Sequence, residues 1–371
     1  SGARRAVTDD PHILWLDHES APENPLLGGK FASLAEMTAA GFAVPMGFGV
    51  TTTAYRVFMA HAGLDDKAAF VREAARRTAL ADIGSARARL VEAIGAAPMP
   101  EALETVIRRN YAILEERTGR PDVPVAVRSS GEAEDLADAS FAGQYDTYLW
   151  IVGADAVLRH VRACWASMFG DAALSYRAGG DGAVVAGGDG ICVGVQQMVE
   201  ARAAGVMFTL DPLNGDRSKI VMEACWGLGE GVVKGDVTPS RFTVDKVTLE
   251  IVQRDIATQA EEYRFDPSSG TVELMPLAPE RGRAACIEDA EALALARLAK
   301  RIEGHRGAAQ DIEWAIDADG EARVLQVRPE TVWSQRESAG LISESRSAVG
   351  HVLARLSGGR VAAAGPGHRD P

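Results

Sequence analysis

The sequence predicts an α+β fold in two lobes, and three observations carry that expectation. From residue 28 to about 118, apolar residues recur at helical spacing between short apolar strands. From Ile191 onward the character changes to consecutive short strands broken by turn residues. The described pattern then ends in two strand-like runs, Gln310–Trp314 and Val324–Glu330, on either side of Asp319-Gly320, a two-residue hairpin signal. The expected organisation is an N-terminal lobe over 1–190 with a helical insertion, a C-terminal lobe over 191–335, and a Ser-, Gly-, Arg- and Ala-rich linker or tail over 336–371.

The elements follow in order. Ile13–Leu16 is a short strand. Gly28-Gly29-Lys30 opens a helix with Phe31, Leu34 and Met37 on one face, and Gly41 stops it. Residues 65–118 are helix-rich scaffold with a break near Gly95–Pro100. Val123–Val127 is a buried strand running into Arg128-Ser129-Ser130, followed by a polar loop and the small-residue run Ser140–Gln144. A strand at 145–151 and a helix at 155–177 lead to a Gly/Ala/Asp connection over 179–190. Strands at Ile191–Val199, Gly205–Leu210 and Lys219–Ala224 precede the glycine-rich run Trp226–Gly231. Strands at Arg241–Val252 and Thr271–Leu274 and a helix at Ile287–His305 precede the hairpin.

Composition excludes several classes of function. The chain has 371 residues with a net charge of -13, a poor match to a nucleic-acid binder, which needs a basic surface. The cysteines, Cys164, Cys192, Cys225 and Cys286, are widely spaced with no CxxC, which argues against zinc and for small buried hydrophobes in a reducing cytoplasm. No apolar run is long enough to span a bilayer.

The hairpin carries the chemistry. With Asp319-Gly320 as the loop, Ala318 faces Glu321, Glu313 lies opposite Gln326, and Asp311 lies opposite Arg328. Alternation puts all four on one face, which offers two carboxylates, an amide oxygen and a guanidinium. Hard oxygens suit Mg²⁺ and Arg suits a neighbouring phosphate. This face reads either as a metal–nucleotide site or as the solvated outside of an edge hairpin.

Other candidates also carry two readings each. Lys30 stands at a helix start that favours an anion, or in a plain Gly-Gly-Lys turn. Arg128 emerges at a strand end toward a ligand, or pairs with Glu132, Glu134 or Asp135. The loop around Gly143 is able to wrap phosphates through its backbone. Gln196, Gln197, Met198 and Val199 border an adenine, or belong to the core. Glu223 binds ribose hydroxyls, or caps the glycine loop. No histidine stands in a nucleophile-pairing setting, and His305 reads as a helix cap.

Taken together these segments resemble the N-terminal ATP-binding region of phosphoenolpyruvate synthase and pyruvate phosphate dikinase, shared with rifampin phosphotransferase and phenylphosphate synthase. The matching runs are Gly28–Met37, Val127–Ser130 with Ala133–Asp135 and Ala139–Gln144, Val195–Val199, Gly205–Thr209, Gly227–Glu230 with Val233 and Gly235, Asp311–Trp314 and Gln326–Thr331. The resemblance implies an ATP-grasp-like fold clamping Mg-ATP between its lobes. It implies Lys30 and Arg128 as phosphate-binding cations and the loop around Gly143 as the phosphate cover. Gln196–Val199 would be the adenine hinge. Asp311, Glu313 and Gln326 would be at the metal, and Arg328 on the transferring phosphoryl. There are three departures from the family pattern: the pair Gly131-Glu132, Ala204 and Ser240. The family's Thr-x-His-Ala motif is absent from this sequence. The expected partner is therefore a separate phosphohistidine-bearing domain or subunit, with a small-molecule acceptor bound elsewhere. The chain is expected to be a free-standing subunit, as in phenylphosphate synthase, or the ATP-binding piece of a longer enzyme. A nucleotide-sensing module and an ATP-grasp carboxylate ligase are the competing expectations.

Overall fold

The computed structural model describes residues 10–77, 83–131, 146–170, 174, 190–331 and 333. Gly143 and the loop around it, Glu132, Glu134 and Asp135, and the 336–371 segment lie outside these residues.

Two antiparallel sheets organise the compact unit, which runs to Thr331. The first sheet has the order β1-β2-β5-β3-β4, from β1 (Ile13–Trp15), β2 (Gly47–Val50), β3 (Val125–Gly131), β4 (Thr147–Ile151) and β5 (Ile191–Gln197). The second has the order β13-β12-β6-β7-β8-β9, from β6 (Ala201–Phe208), β7 (Lys219–Trp226), β8 (Ser240–Asp245), β9 (Ile251–Asp255), β12 (Gln310–Asp317) and β13 (Ala322–Pro329). A separate hairpin joins β10 (Glu261–Asp266) to β11 (Thr271–Pro276). The helices are α1 (Gly28–Ala39), α2 (Thr52–His61), α3 (Asp65–Arg77), α4 (Gly84–Ala96), α5 (Glu101–Thr118), α6 (Ala154–Ser167), α7 (Glu230–Lys234), α8 (Pro279–Arg283) and α9 (Asp289–Arg306).

The change of lobe differs from the expected boundary at 190. β5 is the central strand of the first sheet, pairing with β2 on one side and β3 on the other. It is almost wholly buried, so its apolar run had two sheets to choose from and joined the one whose strands cover both its edges. The chain crosses to the second sheet only after Gln197. The expected strand over 241–252 is a hairpin instead. Asp245 Oδ1 accepts the N–H groups of Val247 (2.9 Å) and Thr248 (3.0 Å), an Asx turn that separates β8 from β9. The helix expected over 155–177 ends at Ser167, before Gly170. Neither β2 nor β10 was anticipated.

α1 is held between the two halves. Phe31 and Leu34 sit in one cluster with Leu27 and Cys192, whereas Met37 joins the core of the second lobe with Ile312, Trp314 and Val327. Phe31 nests over β5 because Gly194 has no side chain; a Cβ there would stand 1.8 Å from the ring. Burying a side chain of this size contributes about 1.5–3 kcal/mol. Gly28 has φ +66° and backs onto β3, where a Cβ would lie 2.1 Å from Ser130 O. Ser130 Oγ then accepts the N–H of Phe31 (3.1 Å), which fixes the start of α1 to the end of β3. Behind the second sheet, α9 begins with a capping box between Glu288 and Glu291 and ends at Gly307 in the left-handed region. Ile312, Met207, Met222 and Phe242 pack toward it. All four cysteines are buried, and burial pushes the thiols of Cys225 and Cys286 up to about 12. No helix among the described residues is long and apolar enough to cross a membrane.

Candidate active site on the terminal hairpin

The hairpin pairs Asp311 with Arg328 and Glu313 with Gln326, as alternation required. It reaches that register by a different route. Near the turn Ile316 faces Ala322, and Asp317 N bonds Glu321 O (3.1 Å), so the loop holds three residues, 318–320, with Gly320 at φ +84°. A β-bulge between Glu313 and Trp314 on this pairing leaves Leu325 without a cross-strand partner and restores the expected partners beyond it.

The bulge has a direct use. Arg128 on β3 donates from one guanidinium nitrogen to Leu325 O (3.1 Å) and from another to Gln326 Oε1, and the second nitrogen lies 4.0 Å from Glu313 Oε2. Two more bonds run along the same strand. Val324 N donates to Ala43 O (2.9 Å) and Ser33 Oγ to Val327 O (2.6 Å). The outer edge of β13 is thus closed by α1, β3 and the segment after α1, not by solvent. On the site face Asp311 and Gln326 are buried and Glu313 is partly exposed.

Asp311 and Arg328 form a tight pair: Arg328 Nε and a terminal nitrogen reach Asp311 Oδ2 at 2.9 and 2.7 Å. Asp311 is 9% exposed, and its burial outweighs the Arg328 pair, so its pKa lies above the usual carboxylate value, with Glu313 and Glu330 adding to the rise. Asp311, expected at the metal with Glu313 and Gln326, is thus engaged by Arg328, while Glu313 and Gln326 carry the other side-chain oxygens of this face. Among the described residues no three His, Cys, Asp or Glu side chains converge on one point. Two protein oxygens still fit Mg²⁺, which retains several waters or phosphate oxygens in its shell. One buried nitrogen of Arg128, Nε, has no acceptor among the described residues.

Registers across the sheet place Glu223 in the same row. Gln326, Glu313, Val206, Glu223 and Arg241 face one another in turn from β13 to β8. Directly opposed residues share a face, so Glu223 lies two strands, about 10 Å, from Glu313. The alternative role of Glu223 as a cap for the glycine loop does not hold for that loop's first donors. Trp226 N goes to Gln259 Oε1 (2.9 Å), Gly227 N to Arg202 O (3.1 Å) and Leu228 N to Tyr263 O (2.9 Å).

The remaining candidates are spread along the junction of the lobes. Lys30 is half-buried in the first turn of α1. Gln196 is buried at 3%, with Nε2 donating to Pro45 O (3.3 Å), so its amide faces the sheet. Gln197, Met198 and Val199 are half-buried at the crossover; Gln197 N bonds Met46 O (2.8 Å) and Met198 N bonds Pro124 O (2.9 Å). His305 stands in the last turn of α9, where a cap was expected. Its Nε2 lies 3.0 Å from Glu36 on α1, beside Arg306, which pairs with Glu36 (2.6 Å) and Ser33. Leu325, Ser33 and Ser130 were not candidates in the sequence, because a carbonyl or a hydroxyl carries no pattern that marks its partner.

Residues 24–348 match the family described as pyruvate phosphate dikinase, AMP/ATP-binding domain. The chain belongs to this family. Its fold is accordingly the α+β, ATP-grasp-like one. The chain is 39% identical over 379 residues to a probable phosphoenolpyruvate synthase of Staphylothermus marinus, covering 94% of this chain and 45% of that protein. It is 41% identical over 324 residues to a probable phosphoenolpyruvate synthase of Methanocaldococcus jannaschii, covering 86% and 26%. It is 38% identical over 362 residues to the phosphoenolpyruvate synthase of Aeropyrum pernix, covering 88% and 43%. The chain spans less than half the length of each of these relatives.

Proposed function

We propose that this chain is the Mg-ATP-binding phosphotransferase component of a phosphoenolpyruvate synthase-like dikinase. It moves phosphoryl from ATP to a histidine on a separate domain or subunit, with AMP and phosphate as the overall products. The observation that carries this reading is the hairpin face, where the Arg328–Asp311 pair, Glu313 and Gln326 stand together opposite Arg128.

Phosphoryl transfer needs positioning and charge neutralisation more than covalent help from the protein. Arg128 and Lys30 would bind the polyphosphate, Gln196–Val199 the adenine, and Glu223 the ribose, with the loop around Gly143 as the phosphate cover. Glu313 and Gln326 would hold Mg²⁺, which when bound neutralises charge on the phosphate oxygens. Arg328, held in place by Asp311, would meet the charge that develops on the transferring group. AMP as a product requires the bond between the β-phosphorus and the α,β-bridging oxygen to break. The imidazole nitrogen takes the β- and γ-phosphoryls, and water then releases the γ-phosphoryl as phosphate.

The test uses the purified chain, Mg²⁺ and ATP labelled at the β-phosphate, with and without a histidine domain of the family. The expected result is label on the histidine and AMP in solution, both lost in Glu313→Ala and Arg328→Ala. Nucleotide binding without any transfer to the cognate partner would favour a sensing module. ADP formation driven by a carboxylate with an amine or thiol would favour a ligase.

A further inference from the structure

We propose that Arg128 stands in for the divalent cation when no nucleotide is bound, so that metal enters the hairpin only as a polyphosphate draws Arg128 away. This rests on the functional reading above and adds an order of binding to it.

The guanidinium of Arg128 already occupies one of the oxygens that suit the metal and stands beside the other. It donates to Gln326 Oε1 and lies 4.0 Å from Glu313 Oε2, and a third contact, to Leu325 O at 3.1 Å, ties it to the bulge between them. Its side chain is 11% exposed, so water screens little of the repulsion that a second cation would meet there. Charge balance agrees. Arg328 offsets Asp311 and Arg128 offsets Glu313, so these four groups balance before any ligand arrives, with Glu330 near Asp311 adding one negative charge. A bare divalent ion would add two positive charges to that cluster, whereas a nucleotide polyphosphate brings its own negative charge.

The buried Nε of Arg128, without an acceptor among the described residues, is the second observation. The present arrangement leaves that donor unsatisfied, at a cost that a phosphate oxygen would remove. The polyphosphate thus offers Arg128 a better set of acceptors than Gln326 and Leu325 do. Once it turns toward them, Glu313 and Gln326 are left facing the cation that accompanies the nucleotide.

Manganese(II) is the probe, counted by the electron paramagnetic resonance of the free ion against the full chain without nucleotide. The expected result is weak binding in the wild type and a gain of about tenfold or more in Arg128→Met, lost again when Glu313→Gln is added. Equal affinity in wild type and Arg128→Met, or a gain that survives Glu313→Gln, overturns the proposal. Should Arg128→Met not fold, the wild type alone decides. A stoichiometric manganese site at micromolar free metal without nucleotide overturns the proposal, and its absence there with appearance on addition of a non-hydrolysable ATP analogue supports it. A fluorescent ATP analogue separates the two levels of failure. No nucleotide binding by the wild type ends the functional reading and this inference with it. Intact nucleotide binding with metal affinity indifferent to Arg128 ends this inference alone.

Discussion

Arg128 and Leu325 are 197 residues apart, and the guanidinium of the first donates to the backbone carbonyl that a β-bulge turns outward at the second (3.1 Å). One irregularity in the hairpin therefore does two things. It corrects the register after a three-residue loop, and it supplies the acceptor that docks β3 of the first sheet against the strand carrying Gln326 and Arg328.

The Asp311–Arg328 pair should behave as a buried ion pair. Arg328→Met leaves a buried carboxylate without its partner and is expected to destabilise the fold by about 3 kcal/mol near neutral pH. Asp311→Asn in the same chain should recover much of that loss, because the uncompensated charge is gone. A double-mutant cycle by urea denaturation measures the coupling, and additive effects would show that the two groups do not interact.

The pH dependence of Asp311 has a definite sign. Its folded pKa is raised, with burial as the largest cause, above the unfolded value of about 3.9. The folded state then binds the proton more tightly, so this group's contribution is most favourable below about pH 4 and declines as pH rises through the folded pKa. The stability of wild type minus that of Asp311→Asn should fall over the same window. A difference that grows with pH would mean that the bonds from Arg328 outweigh burial.

Glu313→Gln keeps the shape of the hairpin and removes one charge from the cation side. AMP formation is expected to fall by about 10²–10³, the range seen when one preorganised electrostatic group is deleted. Binding of a fluorescent ATP analogue in the absence of metal should change little. A parallel loss of metal-free nucleotide binding would place Glu313 on the nucleotide itself.

Gly194 admits Phe31 to the face of the first sheet. Gly194→Ala overpacks that contact and should cost about 1–3 kcal/mol. Because α1 carries Lys30, the same variant should weaken nucleotide binding, and Gly194→Ala with Phe31→Leu should restore part of both. Thermal unfolding and nucleotide titration of the three variants check this. An undisturbed Gly194→Ala would show that α1 does not sit so close.

The register of the candidate site was legible because it is local. Asp311, Glu313, Gln326 and Arg328 belong to adjacent strands joined by a short loop, and the period of two assigns their common face without reference to the rest of the chain. The loop length was misread and the partners were still right, since the extra loop residue and the bulge cancel. Gln196 shows where such reading stops. It stands one residue from Gln197 in sequence, yet it is buried in the centre of a sheet with its amide on Pro45, while Gln197 lies at the crossover. His305 is similar: its position suits a cap, but Glu36 on another helix takes its ring.

The sequence by itself determined the α1 start at Gly28-Gly29-Lys30, the register partners on the hairpin and membership of the family, since each is written in residue types at short spacing or in an ordered set of motifs. Only the tertiary structure decided that β5 completes the first sheet, that Glu223 shares a row with Glu313, and that Arg128 and Ser33 close the outer edge of β13. Those outcomes depend on which strand edges and carbonyls remain without partners once the local elements have formed. A backbone acceptor has the same chemistry at every position, so only the assembled fold selects the one that Arg128 meets.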